Sequence, residues 1–187
     1  MRYVKGIEAY LNDRPSAITL GKFDGLHRGH ELLIRRVCEY QEKEEVDGIV
    51  FAFDMTPLFQ KLNKAPDFLL SNEEKAKRLE GRVKWFVDCP FDDKIASMEA
   101  ETFIEQVLVG RFHANYIVVG SDFRFGYQKR GDYQMLQEYS KKYGYQVDVI
   151  DKICHEGREI SSTYIKEELK RGNKEMANFL LGYEYIK

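Results

Sequence analysis

The chain has 187 residues, 43% of them hydrophobic and 32% charged, with 29 Lys plus Arg against 31 Asp plus Glu for a formal net charge of −2. Such a balance supports one α/β-sized domain with a real core and excludes a disordered chain, and no apolar run approaches the roughly 18 residues a membrane-spanning helix needs. The near-neutral charge offers no global attraction for nucleic acid, so an anionic small ligand would need a locally positive site.

Along the chain, short apolar runs alternate with amphipathic stretches. Residues 17–20 (Ala-Ile-Thr-Leu) read as a buried strand that ends at Gly21. Over 30–45, Leu33, Ile34, Val37 and Tyr40 recur at helical spacing, and residues 48–53 form a second apolar strand. The segment 54–70, with Pro57 and Pro66, is less regular. Ser71 and Glu74 then make a Ser-x-x-Glu capping box that opens a helix to about Leu79. Strands over 84–88, 116–119 and 146–150 alternate with helices over 100–109 and 133–143, and helices over 162–170 and 174–181 close the chain. This alternation predicts an α/β fold with a doubly wound parallel sheet, in which ligands bind where strand C-terminal ends run into loops.

Three such loops are unusual. The first, Gly21-Lys22-Phe23-Asp24-Gly25-Leu26-His27-Arg28-Gly29-His30, holds three glycines and two of the four histidines. Glycine lets the backbone turn tightly and approach a ligand, and a helix N-terminus attracts phosphate. His27 and His30, three apart, can project to one side and donate to phosphate oxygens. The spacing fits neither the dinucleotide Gly-x-Gly-x-x-Gly pattern nor the P-loop pattern. The plain alternative is a glycine-shaped turn with two surface histidines. In the second loop Phe123 and Phe125 alternate with Asp122 and Arg124, as either a strand tail burying two rings or an apolar wall for an aromatic ligand. In the third, Ser161, Ser162 and Thr163 precede a helix, where one Ser would suffice as an N-cap and three hydroxyls suit a second phosphate cradle.

Taken in order, these motifs resemble one family. Gly-x-Phe-Asp-Gly-x-His-x-Gly-His is similar to the first signature of the HIGH-type nucleotidylyltransferases in the form found in bacterial FAD synthetases. Gly120-Ser121-Asp122-Phe123-Arg124-Phe125-Gly126, the Ile160-Ser161-Ser162-Thr163-Tyr164-Ile165-Lys166 run, and residues 177–183 resemble that family's later signatures. The resemblance implies a Rossmann-like fold and transfer of AMP from ATP to FMN, giving FAD and pyrophosphate. It implies Mg²⁺ accompanying ATP, held mainly by the substrate's phosphates, with no protein metal ligand assigned. It assigns His27 and His30 to the triphosphate and transition state. Gly21, Phe23, Asp24, Gly25 and Gly29 would shape the nucleotide side, Ser161, Ser162 and Thr163 would position phosphate, and Lys166 would meet the leaving pyrophosphate. Asp54, Thr56, Pro57, Asp122, Phe123, Arg124 and Phe125 are the candidates for the flavin side.

The chain departs from the family pattern twice. Asp54-Met55-Thr56-Pro57 stands where the family has Pro-His-Pro, and Lys166 replaces an arginine. The family's usual C-terminal riboflavin kinase domain is expected to be absent from residues 1–187, so riboflavin phosphorylation is expected to be absent too. Cys38, Cys89 and Cys154 are far apart and unpaired by motif, as expected of a cytoplasmic protein. No nucleic acid, membrane or obligate protein partner is implied. Two other readings remain: a flavin- or nucleotide-binding regulatory protein, and a nucleotidylyltransferase with a different phosphate-bearing acceptor.

Overall fold

Apolar runs that are continuous rather than alternating need cover on both faces, which a parallel sheet flanked by helices provides. The computed structural model describes residues 1–186. In chain order it begins with β1 (Arg2–Lys5), β2 (Ser16–Gly21), α1 (Arg28–Lys43), β3 (Asp47–Asp54), α2 (Thr56–Lys61), α3 (Asn72–Leu79) and β4 (Trp85–Pro90). Next come α4 (Asp93–Ala96), α5 (Ala100–Thr102) running into a π-helical stretch (Phe103–Val109), and β5 (Ala114–Gly120). A small ribbon of β6 (Arg124–Phe125) and β7 (Gly131–Asp132) leads to α6 (Tyr133–Tyr143) and β8 (Gln146–Ile150). A second ribbon, β9 (Cys154–His155) with β10 (Arg158–Glu159), precedes α7 (Ser162–Lys170) and α8 (Lys174–Leu181).

Six strands form one sheet in the order β1-β4-β3-β2-β5-β8, every pair parallel. Alternate residues of each strand serve opposite faces. Ile18, Leu20, Ile49, Phe51, Val87 and Ile117 pack with Ile104, Leu108 and Leu136 on one side. Ala17, Val50, Phe86 and Val118 pack with Leu33, Ile34 and Val37 of α1 on the other. From β2 the chain steps outward through β3 to β4, then returns to the far side of β2 for β5 and β8. The reversal falls between β2 and β5, and in folds of this kind ligands bind at the C-terminal ends of such strands, where the first and second loops emerge.

The doubly wound α/β expectation is therefore met, with differences at the margins. The first helix starts at Arg28 rather than residue 30, because His27 is already extended (φ −69°, ψ 174°) and serves as its N-cap. The capping box at Ser71 and Glu74 has both of its hydrogen bonds. Within 54–70, expected to be irregular, Pro57 sits in the first turn of α2, the one part of a helix that tolerates proline. Strand β1, the two ribbons and α4 were not anticipated; each is only two to four residues long and carries almost no periodic signal.

Candidate active site

The first loop turns sharply between β2 and α1. Phe23, Gly25 and Leu26 have φ of 50°, 88° and 43°, a conformation that costs free energy at the two non-glycine positions. A Cβ on Gly25 would lie 2.7 Å from Leu69 Cδ1, so the close approach as well as the φ demands glycine. Phe23 is fully buried beneath the turn and anchors it in the core.

This turn delivers His27 and His30 to the start of α1. Their rings stack at 3.7 Å between centroids and 22° between planes, and His30 also lies 5.0 Å from the Phe23 ring. His27 is 6% exposed, and the Nδ1 atoms of both histidines are buried without a hydrogen-bond partner among the described residues. Burial holds His27 down at about 4, partly opposed by the Asp24 carboxylate. Burial likewise pushes His30 well below the ordinary imidazole value, and the positive charges of His27 and Lys75 add to the effect. Both imidazoles are thus neutral at pH 7, and they sit together at the N-terminus of α1. An arriving polyphosphate would supply the negative charge that favours their protonation. Gly29 belongs to this packing: a Cβ there would come 3.2 Å from the His27 ring and 3.8 Å from the Ile160 carbonyl.

The third loop is brought to the first. Ser162 Oγ donates to the Asp24 carbonyl at 2.7 Å, across 138 positions of sequence. Ser161 is the N-cap of α7, accepting from the Tyr164 amide at 3.2 Å, and Thr163 is exposed. One hydroxyl therefore caps, one locks the loops together, and one faces solvent. The expectation that Lys166 meets phosphate is altered by its partners. Its ammonium pairs with Asp24 Oδ2 at 2.7 Å and also donates to the Asp67 carbonyl. Asp24 in turn accepts from the Leu69 amide at 2.7 Å through Oδ1. Asp24 is a buried tie among three segments, the first loop, the stretch before α3 and α7.

On the β3 side, Asp54 Oδ1 accepts from the Thr56 amide at 2.9 Å and from its hydroxyl at 2.6 Å, closing β3 into α2 with Pro57 next in line. The second loop divides. Phe125 is 4% exposed and packs on Phe103 and Phe123. Phe123 is half-buried. Asp122 pairs with Lys152 at 2.9 Å, while Arg124, exposed, donates to the Phe123 carbonyl and lies 3.9 Å from Asp132. Among the described residues no hydrogen bond, ion pair or ring contact joins this loop to His27 or His30; the two loops leave neighbouring strands, β2 and β5, at the same end of the sheet.

Sequence reasoning overlooked Lys75 and Asp88. Lys75 is 4% exposed and donates to the Lys22 carbonyl at 3.3 Å and to Asn72 Oδ1 at 3.0 Å. Asp88, at the end of β4, accepts from Tyr3 and Asn72, while its Oδ1 is buried without a partner. The signal was present: Lys75 lies four before Leu79, on the face α3 turns inward. Among the described residues no group of three His, Cys, Asp or Glu is placed to hold a metal ion.

Comparison with known proteins identifies relatives along nearly the whole chain. The relatives include proteins named bifunctional riboflavin kinase/FMN adenylyltransferase from Escherichia coli (strain K12), 33% identical over 190 residues, and from Haemophilus influenzae, 34% identical over 171. These matches cover 99% and 90% of this chain but 60% and 56% of the relatives, so the chain spans less than two thirds of their length. A crystal structure described as a macrolide-efflux protein from Streptococcus pneumoniae superposes with a TM-score of 0.84 at 25% identity, over 98% of this chain and 61% of that one. Residues 10–164 match the family described as FAD synthetase, and with both histidines, the strained loop and the α7 cap inside that span, the chain belongs to the FAD synthetase family.

Proposed function

We propose that the chain transfers AMP from ATP to FMN. In that reaction a phosphate oxygen of FMN attacks the α-phosphorus of ATP, a new P–O bond forms, and the bond to the bridging oxygen of the β-phosphate breaks to release pyrophosphate. No protein nucleophile is needed; the work is alignment of two anions and stabilisation of charge on the phosphoryl oxygens. The observation that carries the reading is the stacked His27–His30 pair at the N-terminus of α1, locked to the start of α7 by the Ser162–Asp24 bond. His27 and His30 donate to the triphosphate, the amides of α1 and α7 and the exposed Thr163 hydroxyl position it, and Gly25 and Gly29 keep the approach open. Mg²⁺ would arrive with ATP on its phosphates and would neutralise part of their charge.

The residues best placed for the flavin are Thr56 and Pro57 at the start of α2 and Phe123 beyond β5, which flank the nucleotide loop on its two sides. The three free thiols suit the cytoplasm, and no described helix is long and apolar enough to cross a membrane. The test is chromatography of flavins after the pure chain is incubated with Mg²⁺, ATP and FMN. FAD from FMN is the expected result. Absence of FAD from demonstrably folded protein would refute the reading, and titration with FMN and with other phosphate-bearing acceptors would then identify the ligand.

A further inference from the structure

We propose that Lys75 is a positioning residue for the adenylyl-transfer site, a buried ammonium that clamps the Lys22 carbonyl and fixes positive charge beneath the phosphate-facing histidines. The inference rests on the function proposed above and adds a residue to it. Lys75 is 4% exposed, yet among the described residues no carboxylate lies within ion-pair distance of it. Burying an ammonium without a contacting counter-ion is costly, so an apolar side chain would serve stability better there. Its two acceptors say what the charge does instead. One is Asn72 Oδ1, whose amide nitrogen donates to Asp88 at 2.9 Å; the other is the Lys22 carbonyl at the head of the strained turn.

That turn is held carbonyl by carbonyl. Lys22 is clamped by Lys75, Phe23 accepts from the Leu26 amide at 3.3 Å, Asp24 from Ser162 and Gly25 from the Tyr183 hydroxyl at 2.7 Å. Strained backbone persists only where its surroundings over-determine it. Of the side-chain clamps, Lys75 alone carries charge. Asp24, Asp54 and Asp88 surround it at longer range and favour its protonated form against the desolvation that opposes it. Its charge reaches His30, which also faces His27 and the Phe23 ring. Burial already disfavours the charged form of His30; Lys75 adds to that before phosphate enters and adds attraction when it does.

The test compares wild type with Lys75→Met and Lys75→Arg. FAD formation is followed at saturating substrate, and the His30 imidazole is titrated by NMR without ligand. Lys75→Met is expected to lower kcat by about 30-fold or more while His30 titrates at higher pH than in wild type. Lys75→Arg, which keeps the charge, is expected to retain the wild-type His30 titration even where kcat falls. An unchanged His30 titration in Lys75→Met, or a kcat within twofold of wild type, overturns the proposal. If Lys75→Met does not fold, a Lys75→Arg protein whose His30 titrates at higher pH than wild type overturns it instead. Failure of wild type to make FAD would count against the proposed reaction, while the His30 titration still decides the role of the charge.

Discussion

Replacing Asp24 by asparagine tests whether the loop is tied as described. The side chain keeps its shape and its Oδ1, so the 2.7 Å bond from the Leu69 amide survives. Oδ2 becomes an NH₂ group pointing at the Lys166 ammonium, 2.7 Å away in the wild type, so two donors meet. Asp24 and Lys166 side chains are 12% and 21% exposed, too enclosed for water to replace the lost bond fully. A charge-assisted hydrogen bond contributes about 1.5–3 kcal/mol, and Lys166 retains the Asp67 carbonyl, so a loss of about 2 kcal/mol is expected. In a domain of this size that corresponds to a fall in Tm of about 4–8 °C. Thermal unfolding at pH 7.5 would measure it. Lys166→Met should cost a similar amount, and the double variant should cost at least about 1 kcal/mol less than the sum of the two. Additive single effects, or an Asp24→Asn protein that melts within 1 °C of wild type, would refute the tie.

Other consequences can be checked separately. His27→Ala and His30→Ala should each reduce FAD formation by about 10²–10³, by analogy with loss of an oxyanion donor, and near-wild-type turnover of either would remove it from the catalytic set. His27 is held at about 4 in the folded chain, against 6.5 when exposed, so the unfolded chain binds more protons between those values. Stability is therefore full above pH 6.5 and falls as pH drops toward 4, on the order of 2–3 kcal/mol from this residue. Urea unfolding at pH 7 and pH 5 should show a smaller drop in a His27→Gln/His30→Gln variant than in wild type; equal drops would contradict the burial of neutral imidazoles. Gly25→Ala sets a Cβ against Leu69, itself 3% exposed, at a φ of 88°, and should cost about 2–4 kcal/mol in the same assay.

Much of this architecture was legible because its physical causes are local. Continuous apolar runs mark strands covered on both faces, and β3 and β5 extend the expected 48–53 and 116–119 by only a residue or two at either end. Glycines mark the turn, and the capping box marks the start of α3. Strand β1 was not legible, since Arg2 and Lys5 are exposed and its place in the sheet comes from pairing with β4, more than eighty positions away. The same holds in the site. His27 and His30 announce themselves by spacing, whereas the Asp24–Lys166 pair spans 142 positions. Phe125 was ambiguous because a buried ring and a ligand-facing ring share one pattern, and its packing against Phe103 comes only with the fold. Lys75 was passed over because lysine is rarely buried, so composition argues against the position it occupies.

The two departures from the family pattern bear on where positive charge sits. At Thr56 the hydroxyl and amide both bond to Asp54, so the residue closes its own turn without the family's histidine. At residue 166 the lysine ammonium serves two oxygens at one nitrogen, the Asp24 carboxylate and the Asp67 carbonyl. A compact ammonium suits such a socket, whereas an arginine fork spreads its donors over a plane. The cost is that Lys166 and Asp24 cancel each other, leaving little net charge for phosphate at that corner. In a chain of formal charge −2, attraction for a polyphosphate can still come from the N-termini of α1 and α7, the two imidazoles as they take up protons, the buried ammonium of Lys75, and Lys22 and Arg28 of the first loop itself. Affinity for ATP should accordingly respond more to the charge at residue 75 than to the charge at residue 166.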